Sequence, residues 1–462
     1  MSEIHKNFLK DSEKIVFDTE HRKKIKYNIG RYDAAVINGK RQYKNLEAAK
    51  KRAASIKHKV LENLDKYLNE FEVNFERNGG HIVWAINAED AVTEIVKILQ
   101  KNEARMVVKS KSMITEELEL NQALEKAGIE AVETDLGEYI VQIAGEKPYH
   151  IVTPAMHKSK EDITKLFHDK FNTPEDFTPE ELTSFVRKQL REKFIKADAG
   201  ITGSNFLIAD TGSLAITENE GNGLLSFSLP KVHIAVTGIE KIIPSMRDLD
   251  LYWPLLATHG TGQIMTVYNS IISGPRKEGE VDGPDELYVV LIDNGRTDLL
   301  RHKEQRSALS CIRCGACLNA CPVYRNIGGY TYNATYTGPI GAVITPHLKG
   351  MKDYNHLSFA SSLCGKCTEV CPVKINLHEL LLLNRNESVK LGYANRSERF
   401  VQKFAKNLMK NRRLMDLFGG KIKNTVMRLF FKKLWGPRRT LPVFAPKSFN
   451  QLWEERQKQN NK

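Results

Sequence analysis

The residues best equipped for chemistry are the cysteines, and all seven lie between Cys311 and Cys371. "CIRCGACLNACPVY" sets Cys311, Cys314, Cys317 and Cys321 in the spacing C-x2-C-x2-C-x3-C-P, closed by Pro322. Two-residue gaps let a chain curl round an iron–sulfur cube and grip three corners. The wider gap before proline sends the fourth thiolate to another cluster. A second copy, "SSLCGKCTEVCP", supplies Cys364, Cys367 and Cys371 but begins at Ser361. Crosswise sharing therefore predicts one cluster on Cys311, Cys314, Cys317 and Cys371, and another on Cys321, Cys364 and Cys367. Both are expected as 4Fe-4S. Three states are open to the second: a 3Fe-4S form, a four-iron form with a Ser361 or water oxygen on a labile corner, or completion by a partner's residue. Small residues at Gly315, Ala316 and Gly365 let backbone N–H groups approach the sulfides. The competing metal is zinc, which takes paired C-x2-C knuckles around one tetrahedral ion; this run offers more thiolates at another pitch.

What must position these residues is long enough for roughly three domains. At 41% hydrophobic and 27% charged, composition is that of a soluble globular chain. No apolar run approaches the ~18–20 residues of a membrane span, and the first residues, "MSEIHKNFLKDSEK", lack a secretory pattern. The expectation is a cytoplasmic protein, where cysteines serve metals or redox chemistry rather than bridges.

Residues 1–70 read as a charged helical segment, with Val60, Leu61, Leu64 and Leu68 at helical spacing. From 71 to 298, "HIVWAI", "ARMVVKS" and "EAVETD" alternate with helical stretches, the rhythm of an α/β domain with a largely parallel sheet. After Gly200, "FLIADTGSLAITENEGNG", "KVHIAVTG" and "LYVVLIDNG" read as hairpins or a mixed extension of that sheet. Residues 299–392 form a ferredoxin-type domain, its motifs at about 301–331 and 353–382, with a helix expected to start at Pro339. Long helical inserts between the motifs resemble the α-helical ferredoxin module. Tyr324, Tyr330, Tyr332, Tyr336 and Tyr354 crowd the insert, where shielding clusters from water outweighs a redox role. Residues 393–462 read as a basic helical region broken at Pro437 and Pro442.

That last region carries the charge. Between Arg396 and Arg439, fourteen Lys or Arg face two acids, a balance of +12 out of the whole chain's +13. Apolar residues Phe400, Val401, Phe404, Leu408, Val426, Leu429 and Phe430 line one side. Docking to an acidic partner is favoured. An anionic membrane surface comes next, and nucleic acid is disfavoured for want of a helix-turn-helix.

Outside the cysteines, Lys109, Lys111 and Ser112 sit where a strand meets a helix and form a speculative anion pocket; an exposed basic turn with a serine cap is the plainer alternative. Asp210, Thr211 and Glu218 are second-choice pocket residues in what read as hairpin corners, and His157 and Lys158 fall near a strand end. No dinucleotide fingerprint, P-loop or nucleophile–base pair is recognisable. No catalytic residue is expected.

Taken with "DLGEYIVQIAGEKPYHIVTPAMHKSKEDI", "GITGSNFLIADTGSLAITENEGNG", "PKVHIAVTGIEKIIPSM" and the closing "LPVFAPKSFNQLWEERQ", the motifs resemble the L-lactate utilisation protein B family over nearly the whole chain. The resemblance implies an iron–sulfur electron carrier acting with partner subunits in oxidation of L-lactate to pyruvate. It also implies an α/β domain similar to sugar-phosphate isomerases and coenzyme A transferases, and a serine at position 361 as a family trait. Two rivals stay open: a self-sufficient iron–sulfur oxidoreductase, and a redox-sensing regulator with a basic tail.

Overall fold

Four helices come first, Glu3–Val16, Thr19–Gly39, Leu46–Glu62 and Leu64–Arg77. Three open on side-chain caps: Ser2, Asp18 and Asn45 accept the N–H groups of His5, His21 and Ala48. Val60, Leu61, Leu64 and Leu68 are all buried, as their spacing requires. These helices share a core with the cysteine region. Phe8 meets the Tyr332 ring edge-on at 6.2 Å and belongs to the same apolar cluster as Cys314, Cys317, Cys321, Cys367 and Cys371. The structure, a computed structural model, describes residues 2–393, 396–416, 418–435 and 440–460. Pro437, Arg438 and Arg439 lie outside those residues. Contacts divide the chain into two compact units, Met1–Ser388 and Val389–Lys462.

Ten strands build the α/β part: β1 His81–Ala85, β2 Met106–Lys109, β3 Glu130–Glu133, β4 Ala199–Gly203, β5 Phe206–Ile208, β6 Ser213–Glu218, β7 Val232–Gly238, β8 Ile242–Ile243, β9 Tyr268–Ile272 and β10 Glu286–Ile292. Six form one sheet in the order β1-β10-β7-β4-β2-β3, every pairing parallel. β7 is buried at all seven positions, so its run lacks the polar alternation of a one-sided strand and takes the sheet centre. The stretches after Gly200 give the expected hairpin, but their extension of the first sheet is parallel rather than mixed. β7 and β10 extend the parallel sheet, while β5 and β6 make an antiparallel hairpin within a separate four-stranded sheet, β8-β5-β6-β9. The helical stretch after β2 splits into Met113–Glu117 and Leu120–Lys126, because Glu119 adopts a left-handed φ of 52° between them.

The cysteine region is helical: Ala316–Ala320, Pro322–Ile327, Gly338–Leu348, Met351–Phe359, Lys366–Val370 and Leu377–Lys390. Pro339 sits in the first turn of its helix, where a missing N–H costs nothing. In the C-terminal unit, Arg396–Lys410 and Gly420–Val426 are helices, and a π-helical turn spans Met427–Phe431. Phe400, Phe404, Leu429 and Phe430 are each more than 60% exposed, large apolar side chains left open in this unit. Among the described residues, no helix is long and apolar enough to cross a membrane.

Candidate metal centre

The two cysteine runs fold as copies of one loop. Arg313 and Leu363, the residues before Cys314 and Cys364, hold left-handed φ values of 60° and 54°. Gly315 and Gly365 follow at 79° and 77°. A non-glycine residue in this region costs roughly 1–2 kcal/mol, so its recurrence at the same place in both loops marks a shape the site demands. Short helices, Ala316–Ala320 and Lys366–Val370, then carry Cys317 and Cys367 and pack against each other. That packing brings the loops together although they lie far apart in sequence.

The thiols fall into two electrostatic groups. Burial pushes the Cys314 and Cys317 thiols up, and charge on Cys311 and Cys371 pushes them further the same way. Cys371 rises to about 11, first through burial and then through Cys311 among its neighbours. Cys367 also reaches about 11, through burial and then Cys321 and Cys364. Cys321 rises through burial, with Cys364 as its thiol neighbour. Cys364 differs: it is exposed, and the Lys366 backbone N–H and the Ser362 hydroxyl hold its thiol below the usual range. Buried thiols raised this far keep their protons until a metal displaces them, so loading releases protons. Backbone donors are ready for the sulfurs: the Arg313 N–H lies 3.4 Å from Cys311 Sγ and the Ile375 N–H lies 3.3 Å from Cys371 Sγ.

The donor set fits iron–sulfur cubes. A tetrahedral zinc ion with bonds of about 2.3 Å would hold its sulfurs about 3.8 Å apart. Among the described residues, no three cysteines bring their sulfurs within 4.8 Å of one another; the trio that meets this distance is His302, His347 and Glu387. Thiolates on different irons of a cube stand wider than those sharing one ion. Tyr324, Tyr332 and Tyr336 are buried in the same core, whereas Tyr330 is exposed and Tyr354 half-buried. Tyr332 lies near thiols of both groups, since charge on Cys321 and on Cys317 adds to the effect of burial in raising its hydroxyl.

Beside Cys314 opens a cavity of about 460 Å³. It lies beyond the carboxyl ends of β2, β4 and β7, where ligands of open parallel sheets bind. Lys111, Ser112 and Glu218 line it. Lys109 is instead enclosed in the sheet, where it donates to Glu133 at 2.6 Å. Lys111 donates to Asp135 at 3.2 Å, which keeps its ammonium charged despite burial. The Glu218 carboxylate accepts the N–H groups of Gly223 and Leu224, both at 2.7 Å, yet burial still raises it. Asp210 accepts the Met246 N–H, and neither it nor Thr211 lines the cavity. His157 and Lys158 both bond Glu146 at 2.7 Å, under Tyr149 and Tyr330, away from the cavity.

Residues not singled out by the sequence also line the cavity, Asn205, Thr217, Thr237, Lys241 and Arg313, together with Tyr336, which the sequence marked only as a shield. Thr237 is the last residue but one of β7, near the strand end where pocket residues collect. Arg313 sits inside the first motif, stacked 4.3 Å from the Tyr336 ring centre. A buried chain of ions joins it to the sheet. Glu117 takes two bonds from Arg296, at 2.9 and 3.0 Å, Arg296 Nε donates to Glu240 at 2.7 Å, and Glu240 faces Arg313 at 3.4 Å. Gly238 leaves room for this chain, since a Cβ there would lie 2.1 Å from Glu240 Oε2.

Comparison with known proteins accords with both halves. Residues 68–292 match the LUD domain, and residues 307–375 match the 4Fe-4S dicluster domain. Lactate utilization protein B of Bacillus pumilus is 45% identical over 433 residues, covering 90% of each chain. Its counterpart in Bacillus subtilis is 49% identical over 361 residues, 78% of this chain and 75% of the other. A solved structure of a DUF162 family protein from Deinococcus radiodurans covers 50% of this chain and 98% of that chain, at 16% identity and a TM-score of 0.28. With an α/β half, a dicluster half and relatives matched over most of their own length, this chain belongs to the Lactate utilization protein B family.

Proposed function

We propose that this chain is a cytoplasmic iron–sulfur electron-transfer subunit that works with partner subunits in the oxidation of L-lactate to pyruvate. The observation that carries this reading is the contrast between the two thiol groups: one has Cys314, Cys317 and Cys371 buried, with Cys314 against the cavity, and the other reaches the surface at Cys364. Bound clusters supply one-electron relay between a donor and an acceptor that need not touch. Cys311, Cys314, Cys317 and Cys371 hold one 4Fe-4S cluster, and Cys321, Cys364 and Cys367 hold the other, with the Ser361 oxygen at its labile corner. Tyr324, Tyr332 and Tyr336 keep water from the sulfurs. Cys364 marks the side at which a redox partner approaches. Catalysis resides in the partner subunits, and the basic helices between residues 396 and 439 steer docking to an acidic partner face.

The test is an anaerobic mixing experiment with L-lactate. The chain alone should leave its visible spectrum unchanged, and addition of the partner subunits should bleach it as the clusters are reduced. Lactate turnover by the purified chain alone with an artificial acceptor would displace this reading in favour of a self-sufficient dehydrogenase. Cluster-dependent gel shifts on DNA would favour a regulator instead.

A further inference from the structure

The cavity beside Cys314 has donors with nothing to donate to. Arg313 is nine-tenths buried, and its Nη1 has no hydrogen-bond partner. The Thr237 hydroxyl, 1% exposed, also lacks one. Both side chains line the cavity. Lys241 lines it too, and among the described residues its ammonium has neither a hydrogen-bond acceptor nor a carboxylate within 4.0 Å. An unmet buried donor costs about 1–3 kcal/mol, and more when charged. Two such donors among the lining residues, with the unpaired ammonium of half-buried Lys241 added, therefore ask for an acceptor. Other cations nearby are already engaged: Lys111 with Asp135, Arg296 with Glu117 and Glu240.

We propose that this cavity binds the oxyanion end of a small organic acid or phosphate compound, held by Arg313 Nη1, Lys241 Nζ and Thr237 Oγ1. The rest of such a molecule meets neutral polar side chains that also line the cavity, Asn205, Thr217 and Thr266. Thr217 is bonded to Asn269 at 2.7 Å, and Asn205 accepts the Thr217 N–H at 2.9 Å, so these side chains are held in place and offer dipoles. At about 460 Å³ the cavity is several times the size of one carboxylate, which leaves space for substituents. A simpler role for the cations, offsetting thiolate charge at Cys311, acts through space and needs no hydrogen bond. It explains neither the orphaned threonine hydroxyl nor the open volume. The proposal is independent of the reaction that the clusters serve, since it concerns equilibrium binding to this chain.

The test is titration calorimetry on anaerobic, cluster-loaded full-length protein, with pyruvate and inorganic phosphate as separate probes. At least one should bind at millimolar concentration or better, and the one that does assigns the oxyanion class. Lys241→Met and Thr237→Val should each weaken it tenfold or more, at unchanged iron content. Thr237→Val keeps the shape of the side chain and serves if the lysine variant does not fold. The cavity abuts Cys314, so the same probe should also shift the electron paramagnetic resonance of the reduced protein. Failure of both probes to bind wild type, or binding unchanged in both variants, overturns the proposal.

Discussion

Ser361 Oγ accepts the backbone N–H of Leu363 at 3.1 Å, just as Cys311 Sγ accepts that of Arg313 at 3.4 Å. The serine oxygen thus stands, in the second loop, where Cys311 Sγ stands in the first. The two loops share this hydrogen bond and differ in the atom that accepts it.

From this follows the behaviour of Ser361→Cys. Oxygen is a harder and weaker ligand for iron than thiolate, so a restored thiolate should hold the corner iron better. Wild-type protein should lose iron on exposure to air before the variant does, read as iron per chain against time. Identical loss from both would remove Ser361 from the cluster.

Crosswise ligation makes an asymmetric prediction. Cys371 belongs to the second loop in sequence but neighbours Cys311, Cys314 and Cys317 electrostatically. Cys371→Ser should therefore alter the low-temperature paramagnetic signal of the cluster held by the first loop. Cys321→Ser should alter the other. If each variant disturbs the cluster of its own loop, the sharing is wrong.

The ion chain joining the sheet to the first motif should be a stability element with a pH signature. Burial opposes charge on Glu240, but Arg296 and Arg313 overcome it and hold its carboxyl at about 2, against an ordinary 4.5. Its contribution is present above pH 4.5 and lost as pH falls through about 2. Glu240→Ala leaves Arg296 to Glu117 alone and takes the facing carboxylate from buried Arg313, and should cost about 3–5 kcal/mol in anaerobic urea unfolding. Glu240→Gln should lose less stability than wild type between pH 4.5 and 2, a difference in which any general acid lability of the clusters cancels.

The basic tail should report its partner through salt. Replacing Lys403, Lys406 and Lys410 with glutamine should slow association with the partner subunits, and the effect should shrink as salt rises. Co-sedimentation of the wild-type chain with anionic vesicles at moderate salt would assign the exposed apolar face of Arg396–Lys410 to lipid instead.

What was legible in the sequence was local. Cysteine spacing encodes the loop around a cube, and the alternation of apolar runs with helical stretches encodes the parallel sheet. What was not legible depends on contacts across the chain. Lys109 and Lys111 look alike in "VVKSKS", but Glu133, from the neighbouring strand, claims Lys109, and only Lys111 reaches the cavity. Thr237, Lys241 and Arg313 come from three separate places in the chain and converge only on folding. The first helices read as a segment of their own, whereas Phe8 packs in the cysteine core because Tyr332, more than 300 residues away, returns to meet it. Ser361 was visible as a gap in a pattern; the hydrogen bond that keeps it in a cysteine's place was not.

The most direct measurement is metal and sulfide analysis of protein purified and kept without oxygen. Two clusters predict a brown protein with about eight irons and a matching amount of acid-labile sulfide per chain. Colourless protein carrying zinc, or iron for a single cluster, contradicts the account.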